Sequence, residues 1–337
     1  MLRLFSIVSQ IVLVLVFMIV IAGSVVRATG SGMGCPDWPK CFGRLIPPTS
    51  VDQVTWASGK SFDEGEMIVY NDALYTANED LTAGDEFDIS NWDKYTKHDY
   101  AIYNPMHTWI EFMNRLLAPT SGFPAMIMLG LSVLLWLKQK RRDLFWLSFG
   151  VVFFMGVEAW LGKVVVDGNL IPGHISMHMG GTFIIIALLQ RNIYLSKPDR
   201  KPVLTGHKFR WATIGLLALL LLQTFLGTQV REGVDELLGA GVDRGILIGE
   251  LDVWFYIHRS FSILITLLVG YMVWRNWKEY KMTLGWILAI LILVTIIVGI
   301  VLSYASIPAF FQPIHLWLTV LTFMTLVGIL GRTKVSR

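Results

Sequence analysis

Charge is scarce in this sequence: 16% of its 337 residues are Asp, Glu, Lys or Arg, against about 25% in an ordinary soluble domain. With 54% hydrophobic residues and a mean hydropathy of +0.57, the whole chain cannot be a water-soluble fold. Excess charge of either sign is also small, and a net +3 implies no nucleic-acid partner. Cysteine is nearly absent. The two present, Cys35 and Cys41, fall outside the apolar runs, and an oxidising compartment would allow them to pair.

Long apolar runs are what the chain has in quantity. Stretches of about 20 mostly apolar residues, enough to cross a bilayer as helix, occupy Leu4–Val26, Leu116–Leu137, Leu144–Val165, Met177–Leu195, Trp211–Val230, Trp254–Trp274, Leu284–Tyr304 and Ile314–Leu330. The pattern predicts an all-α integral membrane protein with eight transmembrane helices. The first run reads as a retained span, although a cleaved signal peptide looks similar this early in a chain. Lys and Arg gather on the cytoplasmic side of short loops. Arg3, Lys138–Arg142, Arg191–Arg210, Arg275–Lys281 and Arg332–Arg337 then share one side, which puts both termini in the cytoplasm. The outer side receives the loop Arg27–Met106, the turn Lys163–Ser176, the loop Arg231–Asp252 and the turn Ser303–Pro313.

Residues 51–100 break the membrane pattern. Apolar and polar residues alternate around turn signals such as Asn71-Asp72, which predicts a small β hairpin or three-stranded outer module. Its spacing of Trp, Tyr and turn residues resembles short carbohydrate-binding modules of chitinases. A solvated insertion with no ligand is the plainer alternative.

Ionisable side chains inside a span are costly and mark functional sites. His258, followed by Arg259, lies within the sixth run, and His315 opens the eighth. The segment before the second run carries His107, Glu111, Asn114 and Arg115, the first three at helical spacing on one face. These pieces repeat. Gly23–Arg27 (GSVVR) matches Gly227–Arg231 (GTQVR), Trp109–Arg115 (WIEFMNR) matches Val253–Arg259 (VWFYIHR), and Ser176–Met179 (SMHM) matches Pro313–Leu316 (PIHL). Two pseudo-symmetric four-helix bundles follow: 1–50 with 101–197, and 198–337, repeated in parallel about an axis along the membrane normal. In the second copy, His258 and His315 come from alternate helices at similar depth, where a haem iron could join them. Two core histidines bonded to backbone are the plain alternative. Arg231 and Arg259 suit haem propionates through forked hydrogen bonds. In the first copy His178 matches His315, but Asn114 stands where His258 predicts a histidine. His107, two turns upstream, is either a displaced ligand or a capping polar residue. Glu111 is either a chemical group or an ion-pair partner for Arg115 or Arg27. Cys35 and Cys41 form either a structural staple or a redox-active pair.

Taken together, the GxxVR helix exit, the CPxWPxC loop, IExxxR, HR and HL resemble the haem A synthase family over nearly the whole chain outside Val51–Tyr100. The resemblance implies an oxidoreductase in the bacterial plasma membrane that converts the C8 methyl of haem O to the formyl of haem A, its sites near the outer face. It implies haem b held by His258 and His315 in the second half, and haem O bound in the first half. There His178 matches a ligand position, Glu111 the catalytic glutamate, and Cys35 and Cys41 the outer-loop cysteines; Arg27, Arg115, Asn114 and His107 lie around the substrate. Asn114 departs from the family histidine. A membrane electron donor is expected, and partnership with a haem O synthase and self-association stay open. A transmembrane haem electron carrier and a haem transport protein are the rival classes.

Overall fold

The computed structural model describes residues 1–97, 102–167, 173–197 and 202–335. Residues 98–100, the end of the expected insertion, and residues 168–172 of the expected Lys163–Ser176 turn therefore lie outside the described residues. The long helices are α1 (Leu2–Thr29), α2 (Pro105–Gln139), α3 (Arg142–Asp167), α4 (His174–Leu195), α5 (His207–Gly239), α7 (Val253–Arg275), α8 (Thr283–Tyr304) and α9 (Phe311–Arg332), with a single turn, α6 (Leu247–Glu250), before α7. Among the described residues seven of them are long and apolar enough to cross a membrane. The exception is α4, which carries His178, Gln190, Arg191 and Asn192 in 22 residues. The chain is thus a multi-pass, all-α membrane protein, with seven candidate spans among the described residues where the sequence suggests eight.

Local chemistry sets the helix ends. Asn104 caps α2, its Oδ1 accepting from the backbone N–H groups of Met106 (3.0 Å) and His107 (3.3 Å), with Pro105 as first helical residue. Asp252 caps α7 in the same way through Trp254 N–H at 3.0 Å. On α8 the exposed Ile290, Leu293, Ile297 and Ile300 form one stripe, while Leu288, Ile292 and Val298 are buried. Apolar residues on the outside of a helix are what a lipid-facing surface requires.

The chain divides into two compact units, Met18–Thr120 with Gly156–His174, and Met1–Phe17 with Ser121–Met155 and Ile175–Arg337. In the first, β2 (Met67–Tyr70), β3 (Ala73–Ala77) and β5 (Trp92–Lys94) form an antiparallel sheet in the order β2-β3-β5, and β1 (Ser61–Phe62) pairs with β4 (Leu81–Thr82). The β2–β3 hairpin turns through Asn71 and Asp72, both at positive φ (47° and 57°), as a two-residue primed turn demands. The sheet buries both faces. Ile68 joins Phe62, Ala77, Ala83 and Trp92, around which Tyr70 stacks on Phe87 at 4.0 Å. Its neighbour Met67 points the other way, onto Cys35, Cys41, Phe42, Val54 and Leu74. Gly43 (φ +75°) permits a close approach between loop and module, since a Cβ there would stand 2.0 Å from the Gly65 carbonyl oxygen.

In the other unit α5 packs on α7 and α9, and α8 packs on the same two helices. The four close a bundle in which α7 faces α9 across one diagonal and α5 faces α8 across the other. Strand β6 (Val203–Thr205), before α5, pairs in parallel with β7 (Thr333–Val335), after α9. The loop expected over Arg231–Asp252 is instead helical as far as Gly239. There an Arg231–Asp235 ion pair (2.7 Å) spans one turn, and Val234 is buried with Leu247, Leu251, Phe255 and Ile307.

Candidate functional site

His258 on α7 and His315 on α9 face each other inside this bundle, with ring centres 6.3 Å apart and ring planes at 70°. Two imidazoles bonded to one iron at about 2 Å place their ring centres roughly 6 Å apart. Nδ1 of each ring is buried with no hydrogen-bond partner. An unsatisfied buried polar atom is costly, while each ring also approaches a backbone carbonyl, that of Gln223 for His258 and that of Thr295 for His315. The other diagonal makes room for the rings. A Cβ on Gly227 of α5 would stand 3.1 Å from His258 Cε1, and one on Gly299 of α8 would stand 3.4 Å from His315 Cε1. Gln223, one turn before Gly227, donates to the His258 carbonyl at 3.0 Å and ties α5 to α7 at this level. Among the described residues no three His, Cys, Asp or Glu side chains converge as a cage for a bare ion. Two opposed imidazoles fit a group that brings its own donors for its metal, and a porphyrin meets that condition.

A second polar centre lies where α2 meets the disulfide loop. Glu111, 3% exposed, accepts from the Cys35 backbone N–H at 2.8 Å through one carboxylate oxygen and from Arg115 through the other. Arg115 also donates to the carbonyls of Cys35 (2.9 Å), Asp37 and Lys40 (3.1 Å). One guanidinium fork thus holds the loop by three backbone oxygens. Cys35 and Cys41 are bonded to each other, with Cα atoms 4.8 Å apart. Within their loop the Asp37 carboxylate accepts from Phe42 N–H (2.6 Å) and Gly43 N–H (2.9 Å). Burial pushes the Asp37 carboxyl above its ordinary range, opposed by those two N–H groups and by Arg115. Thr108 donates to the Gly34 carbonyl at 2.7 Å, and Gly34 lies so close to α2 that a Cβ would stand 2.5 Å from the His107 carbonyl. Of the two readings of Glu111, the ion pair with Arg115 is present.

A family model described as cytochrome oxidase assembly protein matches residues 6–68 and 91–327. The chain belongs to that family. Relatives named heme A synthase include one from Lysinibacillus sphaericus, 24% identical over 293 residues that cover 81% of this chain and 76% of the relative. One from Bacillus pumilus is 23% identical over 335 residues, 93% of this chain and 89% of its own. One from Shewanella oneidensis is 23% identical over 220 residues, 65% and 54% respectively. The family match narrows the inserted segment. Within Val51–Tyr100 only residues 69–90 fall outside it, so part of that segment, including β1 and β5, belongs to the matched region.

The remaining candidates are less concentrated. Asn114 lies on α2 with its Oδ1 buried, unpartnered and 3.7 Å from where a Gly23 Cβ would be. His107 sits in the first turn of α2, His178 on α4, and Arg27 in the last turn of α1. Arg231 pairs with Asp235, and the Arg259 guanidinium rests 5.6 Å from the Tyr256 ring centre and 5.7 Å from that of Phe255. Sequence reasoning missed Gln223, Asp37 and the role of the glycines. The repeat contained the signal for Gly227 and Gly299, both at its helix-exit position, but only the fold shows that each faces an imidazole.

Proposed function

We propose that this chain is a haem A synthase, an oxidoreductase of haem A biosynthesis that converts the C8 methyl of haem O to a formyl group. The observation that carries the reading is the pair of facing imidazoles of His258 and His315, with unpartnered Nδ1 atoms and glycines opposite, in a chain of this family. These two residues would hold haem b, and Arg259 and Arg231 would meet its propionates, Arg231 sharing its charge with Asp235. The bound haem b would supply electron transfer between the substrate and a membrane carrier. The protein's own contribution is placement. Gly227 and Gly299 leave the rings free, and Gln223 fixes the level of α7 against α5.

In the first half Glu111 would take the proton released as the methyl is oxidised. Its carboxylate is desolvated and already held by Arg115 and Cys35 N–H, so a proton arriving there competes with an ion pair. His178 would bind the haem O iron, with Arg27 and Arg115 near the substrate's acidic groups. The sites would lie near the outer face of a bacterial plasma membrane, with both termini inside.

The test is expression of the full chain with a source of haem O, followed by haem extraction and chromatography. Haem A is expected, and an extract holding only unaltered haem O would refute the enzyme reading. Purified protein should show a low-spin six-coordinate haem that both His258→Ala and His315→Ala abolish. Survival of that spectrum in either variant would remove the ligand assignment.

A further inference from the structure

The two copies of the repeat place different side chains against equivalent glycines. On α5 and α7, Gly227 faces His258; on α1 and α2, Gly23 faces Asn114. In both pairs the facing side chain carries a buried polar atom with no partner, Nδ1 in His258 and Oδ1 in Asn114. Asn114 therefore occupies a ligand-shaped position with an amide in place of an imidazole. Neither of its polar neighbours on α2 stands in for the missing ring. His107 lies seven residues earlier, about 10 Å along the helix axis, and its backbone is fixed by the close approach of Gly34. Glu111 has both oxygens engaged by Cys35 N–H and Arg115.

We infer that α2 presents no strong-field ligand to the substrate haem, so that its iron is high-spin and open to a small exogenous ligand on the Asn114 side. The inference rests on the proposed function. An amide oxygen is a hard, weak donor compared with imidazole nitrogen. The second-half haem, with His258 and His315 opposed, has no such open face, and the two haems should differ in their reactivity.

The full chain is purified, titrated to saturation with iron protoporphyrin IX, reduced, and its spectrum recorded with and without carbon monoxide. Two populations are expected, one low-spin and inert to carbon monoxide, the other high-spin and binding it. Asn114→His should convert the second population to low-spin and abolish its carbon monoxide shift. Asn114→Ala should retain the shift, so the test does not depend on the histidine variant folding. A saturated wild-type protein that is wholly low-spin and inert would overturn the inference, as would uptake that stops at one inert haem. A chain that binds no haem would overturn the proposed function itself, and the inference with it.

Discussion

Single atoms decide much of this protein. A methyl added at Gly227 would meet the His258 ring at 3.1 Å, tighter than at Gly299, where it would meet His315 at 3.4 Å. Overpacking of this kind costs about 1–3 kcal/mol. Gly227→Ala should therefore lower haem occupancy roughly tenfold at limiting haem, since about 1.4 kcal/mol corresponds to a factor of ten, and Gly299→Ala should do so less. Equal, full occupancy in both variants would mean that the rings do not need the space. In the disulfide loop, the sign of the Asp37 effect follows from its raised pKa. A carboxyl that burial makes easier to protonate when folded contributes stability that is full below the ordinary carboxylate range and is lost as pH rises through the raised value. Thermal unfolding of the loop and module should show that decline, and Asp37→Asn should remove it; an unchanged slope in the variant would assign it to another group. Glu111→Gln keeps the shape but leaves the Arg115 charge without its partner, a loss that costs about 3–5 kcal/mol for a buried pair.

At the scale of elements, the chain was legible where local chemistry alone sets the structure. The hairpin at Asn71-Asp72 was readable because a two-residue turn of that type takes residues that tolerate positive φ, and both do. The extension of α5 was not, because Arg231, Glu232, Asp235 and Glu236 look like a loop to a hydropathy reading. Only one face, with Val234, Leu237 and Leu238, is apolar, and its partners Leu247, Leu251 and Ile307 are distant in sequence. The paired histidines were legible through the repeat, while the hold of Arg115 on three loop carbonyls depends on a loop path that no spacing encodes. The same loop settles how exposed the cysteines are: Cys35 is 0% and Cys41 1% exposed, covered by Val54, Met67 and Leu74 with Tyr95 and Tyr103 packed alongside. Thiol exchange requires an attacking thiolate to reach a sulfur. The disulfide should therefore survive mild reductant while the module is folded and yield only when it melts, as maleimide trapping at rising temperature would show. Rapid labelling of both thiols in the folded protein would favour the redox-active alternative. Changing both cysteines to serine should cost about 2 kcal/mol through loss of a short loop closure.

For the whole molecule the distribution of basic residues predicts which way it crosses the bilayer. The basic segments Lys138–Arg142, Arg275–Lys281 and Arg332–Arg337 follow even-numbered spans in the eight-span reading, while the β module and the helix ends bearing His258 and His315 fall on the opposite side. In this proposed topology both copies of the parallel repeat would begin inside, and the histidines would lie near the outer face. The chain is well suited to a direct test, because its two cysteines are joined to each other and no free thiol competes with an introduced one. Asp85→Cys places a thiol on the exposed edge of the β module, and Lys334→Cys places one after α9. In sealed spheroplasts an impermeant maleimide should label position 85 at once and position 334 only after permeabilisation. The reverse order would invert the topology and place His258 and His315 nearer the cytoplasmic face. Labelling of both positions in sealed cells would mean an even number of crossings between them. Whether α4, the one long helix outside the seven apolar enough to cross, spans the bilayer would then be the point at issue, because the eight-span reading has seven crossings between positions 85 and 334 and the loss of α4 alone leaves six.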